Sequence, residues 1–156
     1  MSEAPTAVAA IHPREAFGPF IVLVVEDQRE IRELLLQILE TRGHAVRTAA
    51  SGDEGLIRVA EEGVDLLVTD LAMPGRSGLE LAQAAKARFP RIRVLLVTGY
   101  AELLDDSARR WVDAVLRKPF TPEQFLQAVE KAFERPPQFR QKNNAFTPLT
   151  DGGEFL

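Results

Sequence analysis

The sequence predicts an α/β protein: a five-stranded, wholly parallel sheet, doubly wound with helices on both faces. Three observations carry that reading. Predominantly apolar runs of strand length recur at residues 20–25, 65–70 and 93–98, and near-continuous Val, Ile and Leu marks strands buried on both faces. Amphipathic segments of helical period lie between the runs, so the order is βα repeated five times. Each crossover is long enough for a helix, which makes the strands parallel and their connections right-handed.

Residues 1–19 are rich in Ala and Pro, lack a period and read as a flexible extension; the folded domain is expected over 20–134. The first strand, Phe20-Ile21-Val22-Leu23-Val24-Val25, runs into Glu26-Asp27. The helix that follows carries Ile31, Leu34, Leu35, Ile38 and Leu39 at i, i+3, i+4, i+7 spacing. Asp27 is placed to cap it, with Glu30 three residues on as in a capping box, and Gly43 supplies a stop. Residues 45–49 form a shorter, more polar strand, as expected at an edge. Ser51 caps a second helix containing Leu56, Ile57 and Ala60, ending near Gly63. The central strand, 65–70, closes on Asp70 and a loop with Pro74, Gly75 and Gly78. A helix over 79–89 presents Leu79, Ala82, Ala85 and Phe89, and Pro90 ends it. After the strand at 93–98 come a short polar helix over 101–110 and a last strand at 114–116. Thr121 caps a final helix with Phe125, Val129, Ala132 and Phe133 as its apolar stripe. From 135 to 156, Pro-Pro, Asn-Asn and Gly-Gly pairs read as a flexible tail.

The chain has 156 residues, 46% hydrophobic and 27% charged, which suits one globular domain. A net charge of −4 argues against nucleic acid as a partner, because phosphate backbones need clustered Lys and Arg. The absence of cysteine excludes disulfides and thiolate chemistry. Two histidines leave little for a His-rich metal site. No apolar stretch nears the roughly 20 residues of a membrane span, and no basic-then-apolar leader is present. The cytoplasm is the expected location.

The carboxyl ends of parallel strands share one edge, where open α/β folds place ligands. Four of the five strands deliver polar groups there: Glu26-Asp27, Asp70, Thr98 and Lys118. Singly, each has an ordinary explanation as a cap, an Asx-turn, a strand end or a solvated lysine. Together they point to chemistry. Unit charges about 4 Å apart repel by roughly 4 kcal/mol at an effective dielectric of 20. One acid would then keep its proton unless a cation intervened. A few hard oxygen ligands with room for water favour Mg²⁺. With Mg²⁺ present, Asp70 can serve as a nucleophile toward a phosphoryl group. Thr98 can hydrogen-bond one phosphoryl oxygen and Lys118 can pair with another, while Gly99 keeps bulk away from the incoming group.

These residues, in this order, resemble the receiver domain of two-component response regulators, the CheY-like family. Leu23-Val24-Val25-Glu26-Asp27 resembles its acidic pair. Val68-Thr69-Asp70-Leu71-Ala72-Met73-Pro74-Gly75, with Gly78, resembles its phosphoacceptor motif. Val97-Thr98-Gly99 resembles the switch hydroxyl with its small neighbour, and Leu116-Arg117-Lys118-Pro119-Phe120 the Lys-Pro-Phe motif. The resemblance implies a flavodoxin-like sheet of strand order 2-1-3-4-5, with Asp70 as the phosphorylated residue and a cis Lys118–Pro119 bond. It implies Mg²⁺ held by Asp27, Asp70 and the backbone carbonyl of Ala72, with Glu26 acting through water. It implies a phosphohistidine donor on a sensor histidine kinase or histidine phosphotransfer protein. Signalling would run through protein–protein contacts of a monomer or weak homodimer, with no enzyme activity beyond its own phosphorylation and dephosphorylation.

The chain departs from the family pattern at two places. Val115 stands where most receivers carry the switch aromatic, and Tyr100 follows Thr98 by two residues. A minority of receivers pair Thr-Gly-Tyr with no later aromatic, which assigns the switch to Thr98 and Tyr100. Arg110-Trp111-Val112 replaces the usual Gly-Ala turn, leaving Trp111 either under the fourth helix or on a partner face. Three readings stay open: a stand-alone receiver, a receiver from a hybrid histidine kinase, or a Mg²⁺-dependent aspartyl-phosphate phosphohydrolase. The last class usually needs an acid two residues after the nucleophile, where this chain has Ala72.

Overall fold

The computed structural model describes residues 19–61 and 63–134. The extension expected before residue 19 and the tail expected from 135 lie outside the described residues. Eleven elements follow in order: β1 (Ile21–Val25), α1 (Arg29–Thr41), β2 (Ala45–Ala49), α2 (Gly52–Glu61), β3 (Leu66–Asp70), α3 (Gly78–Arg88), β4 (Arg93–Thr98), a 3₁₀ turn (Ala101–Leu103), α4 (Asp106–Arg109), β5 (Ala114–Arg117) and α5 (Pro122–Glu134). The sheet is parallel throughout, in the order β2-β1-β3-β4-β5, as the resemblance implied.

Strand alternation divides the core in two. Leu23, Val25, Leu67, Val94 and Leu96 face one layer, filled by Val59 of α2, Leu81, Ala82 and Ala85 of α3, and Leu104 and Val112 beyond β4. Val22, Val24, Leu66, Val68, Leu95 and Val97 face the other, filled by Leu35 and Leu39 of α1 and Phe125, Val129 and Ala132 of α5. β3, in the middle, is buried at all five positions. Edge strand β2 alternates exposed and partly buried residues until Ala49.

Several ends follow their local signals. Gly43 adopts φ 86° after α1, a conformation that costs a residue without Cβ little. Ser51 Oγ accepts from the Glu54 N–H at 3.1 Å. Thr121 and Gln124 form a reciprocal box at the start of α5, at 3.1 and 2.8 Å. The Lys118–Pro119 bond is cis.

Three expectations need correction, and α2 adds a detail of its own. The N-cap of α1 is Gln28, without a side-chain cap bond; Asp27 sits before the cap, exposed. The helix entrance is instead satisfied by Glu26, whose Oε2 accepts from the Gln28 N–H at 3.1 Å. The buried side of α2 is Gly52, Gly55 and Val59, and Ile57 is 61% exposed. Gly55 faces inward, where there is no room for a side chain: a Cβ there would press on Val25. The buried stripe of α3 is Gly78, Leu81, Ala82, Ala85 and Lys86, whereas Leu79 is only partly buried. A Cβ at Gly78 would overlap the Asp70 carbonyl, so the close approach of the two backbones sets the rotation of α3. Finally, the single helix expected over 101–110 is broken. Leu104 turns into the core, and Asp105 caps a new turn by accepting from the Ala108 N–H at 2.7 Å. Trp111 is partly buried and packs against this same core layer.

Candidate functional site

The ends of β1, β3, β4 and β5 bring the expected residues to one edge. Glu26 leaves β1 almost fully buried, at 1% exposure, and Asp70 closes β3 at 7%. Together with exposed Asp27 they can offer ligand oxygens that all lie within 4.8 Å of one another. Lys118, just past β5, reaches between two of them. Its Nζ is 3.0 Å from Asp70 Oδ2 and 3.2 Å from Glu26 Oε1. The other Asp70 oxygen, Oδ1, accepts from the Ala72 N–H at 3.3 Å. The carboxylate is therefore held at both oxygens.

The loop that follows Asp70 is fixed by its glycines and by Ser77. The Gly78 N–H donates to the Leu71 carbonyl at 3.0 Å, and Gly75 takes φ 77°. Ser77 and Glu80 complete a capping box on α3. Ala72 is left exposed.

Thr98 is fully buried at the end of β4. Its Oγ1 accepts from the Tyr100 N–H at 2.9 Å, so the hydroxyl proton is left to donate elsewhere. Its carbonyl accepts from the Lys118 N–H at 2.9 Å. Thr98 is thus hydrogen-bonded to the backbone that carries Lys118, while Tyr100 beside it is 52% exposed. A Cβ built on Gly99 would meet nothing within 4 Å, in keeping with open space at that point.

The electrostatics follow from burial. Burial raises the Glu26 pKa, and the nearby Asp70 charge adds to this against the lowering effects of the Gln28 N–H and Lys118. Burial pulls the Lys118 pKa down, but hydrogen bonds and charge from Asp70 and Glu26 outweigh it and hold the ammonium above its ordinary value. Three carboxylates against one ammonium leave two negative charges, which suits a divalent cation. The donors are hard oxygens, the chemistry of Mg²⁺ rather than Zn²⁺.

The direct Glu26–Lys118 pair is the contact that sequence reasoning missed. Sequence spacing carries no signal for it, because 92 residues separate the partners. A second missed pair lies at the opposite end of β4. Lys86 Nζ donates to Asp113 Oδ2 and to the Ile92 carbonyl, both at 2.9 Å, and Asp113 Oδ2 also accepts from the Val94 N–H.

A doubly wound parallel sheet with a lysine-bridged acidic cluster at its carboxyl edge defines a class of phosphoryl- or metal-handling α/β domains. Comparison with known proteins narrows the class. The family model of the response regulator receiver domain matches residues 22–130. The response regulator receiver protein CpdR of Brucella abortus is 35% identical over 114 residues, covering 70% of this chain and 93% of that protein. The sensor kinase CckA of the same organism is 37% identical over 124 residues, covering 76% of this chain but 13% of the kinase. Among solved structures, the response regulator TrrA of Thermotoga maritima, in complex with Mg²⁺-BeF, superposes with a TM-score of 0.68 at 32% identity, covering 72% of this chain and 98% of that one. The chain belongs to the response regulator receiver domain family of two-component systems. Receiver domains are signalling domains. Among the described residues, no helix is long and apolar enough to cross a membrane.

Proposed function

We propose that this chain is a phosphoacceptor, taking a phosphoryl group from a phosphohistidine onto Asp70 and signalling through protein–protein contacts. The observation that carries the proposal is the Asp70 carboxylate, held between the Lys118 ammonium and two further carboxylates at the sheet edge. A carboxylate oxygen of Asp70 attacks phosphorus. The new P–O bond forms as the P–N bond to the donor imidazole breaks, and the leaving imidazole keeps the electron pair. Lys118 moves from the carboxylate to a phosphoryl oxygen, and the free Thr98 hydroxyl proton is donated to another. Asp27, Asp70 and the Ala72 carbonyl would hold Mg²⁺, with Glu26 acting through water. The ion, when bound, offsets negative charge on the group in transfer.

The donor would be a sensor histidine kinase or a histidine phosphotransfer protein. The similarity to a segment of the sensor kinase CckA supports a second reading, in which the chain is the receiver part of a hybrid histidine kinase. In either case the added charge of about −1.5 to −2 draws Thr98 inward. The loop with Tyr100 follows, and the face of that loop, α4 and β5 changes its partner affinity.

Acetyl phosphate with Mg²⁺ tests the chemistry. Intact-mass spectrometry is expected to show one phosphoryl group per chain, absent in Asp70→Asn. Labelling that persists in Asp70→Asn would place the acceptor elsewhere. Continuous turnover of a generic phosphomonoester would favour the phosphohydrolase reading.

A further inference from the structure

A groove of about 380 Å³ runs between β5 and α5, on the side of β5 away from β4. Its floor is apolar: Val112, Ala114, Val115 and Ala128. The cations at its rim are Arg109 and Lys131, both exposed. Among the described residues neither makes an ion pair; Arg109 donates only a long bond, 3.4 Å, to the Ala101 carbonyl. The carboxylates are Asp113, already tied to buried Lys86, and Glu134.

Glu134 is also the last residue of α5, so the chain that continues from it starts at the groove. Twenty-two residues follow, 135–156. Pro136-Pro137 cannot extend the helix. The near part of this segment is basic, with Arg135, Arg140 and Lys142, and would be repelled by Arg109 and Lys131. The far part, Asp151-Gly152-Gly153-Glu154-Phe155-Leu156, carries two acids followed by two large apolar side chains. That pairing of charge and apolar surface complements the groove. The sixteen residues between Glu134 and Asp151 span up to about 50 Å when extended, more than twice the roughly 20 Å length of α5.

We propose that residues 151–156 dock in this groove, with Phe155 and Leu156 on the Val112–Ala128 floor and Asp151 and Glu154 against Arg109 and Lys131. The tail then covers the α5 flank of β5, the strand that carries Lys118 at its end. Because the segment is tethered, its effective concentration lies in the millimolar range, so even a weak site is substantially filled. Docking needs no phosphoryl transfer, and its test is independent of the proposed chemistry at Asp70.

The absence of cysteine allows a single nitroxide on Gly153→Cys of the full chain. Relaxation of backbone amides is then read by NMR, without Mg²⁺ or phosphodonor. Amides of Val112, Ala114 and Ala128 are expected to lose about half their intensity or more, in line with a tethered site of millimolar affinity. Lys131→Glu, an exposed change that spares the core, should restore most of it, and so should added salt. Adding Glu154→Lys to Lys131→Glu should bring the loss back. Broadening spread evenly over the surface would overturn the proposal, as would broadening indifferent to Lys131→Glu. Broadening that appears only between labelled and unlabelled molecules would instead assign the groove to a second copy of the chain and also overturn it.

Discussion

Glu26 is the residue at which fold and chemistry conflict. It is buried at 1% exposure beside Asp70, and its pKa is raised, first by burial and then by its neighbour's charge. A raised carboxyl pKa means that the folded state favours the protonated form. Its contribution to stability is therefore present at acid pH and lost as pH rises from the ordinary carboxyl range through the folded value. Urea denaturation in EDTA should therefore show the parent chain losing stability relative to Glu26→Gln as pH rises from the ordinary carboxyl range to neutrality. The same variant should respond less to Mg²⁺ than the parent chain. A difference that stays constant over that range, or moves the other way, would show that the Lys118 pair cancels the cost of burial. The acidic residues themselves were legible in the sequence, because a carboxylate ending an apolar strand has no role in the core. The interior pair of Lys86 and Asp113, which meet at 2.9 Å, was not legible, because nothing in the neighbours of either residue marks it as buried.

At the scale of elements, caps and breaks decide where helices begin. The entrance to α2 is held by Ser51 and by Glu54, whose Oε1 accepts from the Ala50 N–H at 2.8 Å. That backbone bond, with a smaller contribution from Arg58, lowers the Glu54 pKa. A depressed carboxyl pKa gives stability that is present above the ordinary carboxyl range and lost as pH falls through the folded value. Glu54→Gln should thus cost no more than about 0.5–1 kcal/mol at neutral pH, since the group is exposed. The difference between the two chains should vanish in acid, as read by thermal melts across pH. Strand positions and most caps could be read from local pattern, since each depends on neighbours in sequence. The rotations of α2 and α3 could not. Gly55 against Val25 and Gly78 against the Asp70 carbonyl set them, and those contacts are between distant parts of the chain. The fourth helix failed for a related reason: Leu104 is drawn into the core, which breaks the continuous helix that composition suggested.

At the scale of the whole molecule, the sheet turns four separate strand ends into one cluster. Strand order, parallel pairing and the acidic edge all agreed with the residue pattern and with the family resemblance. The remaining question is how the cluster speaks to the surface. Thr98 accepts from the Tyr100 N–H and from the Lys118 N–H through its two oxygens, so a shift of its hydroxyl reaches both β5 and the exposed tyrosine. A coupling of about 1–3 kcal/mol suffices for regulation. Thr98→Ala should accept phosphoryl groups much as the parent does, while the NMR shift changes of residues 100–117 on phosphorylation largely disappear. Unchanged shifts in that variant would assign the response to another group.

The most direct measurement is chemical mapping of the acceptor. The chain is incubated with acetyl phosphate and Mg²⁺, and the acyl phosphate is reduced with borohydride, which converts a phosphorylated aspartate to homoserine. Peptide sequencing should then find homoserine at position 70 alone, and none when Mg²⁺ is chelated. Homoserine at another aspartate, or at position 70 irrespective of metal, would contradict a metal-assisted transfer to Asp70.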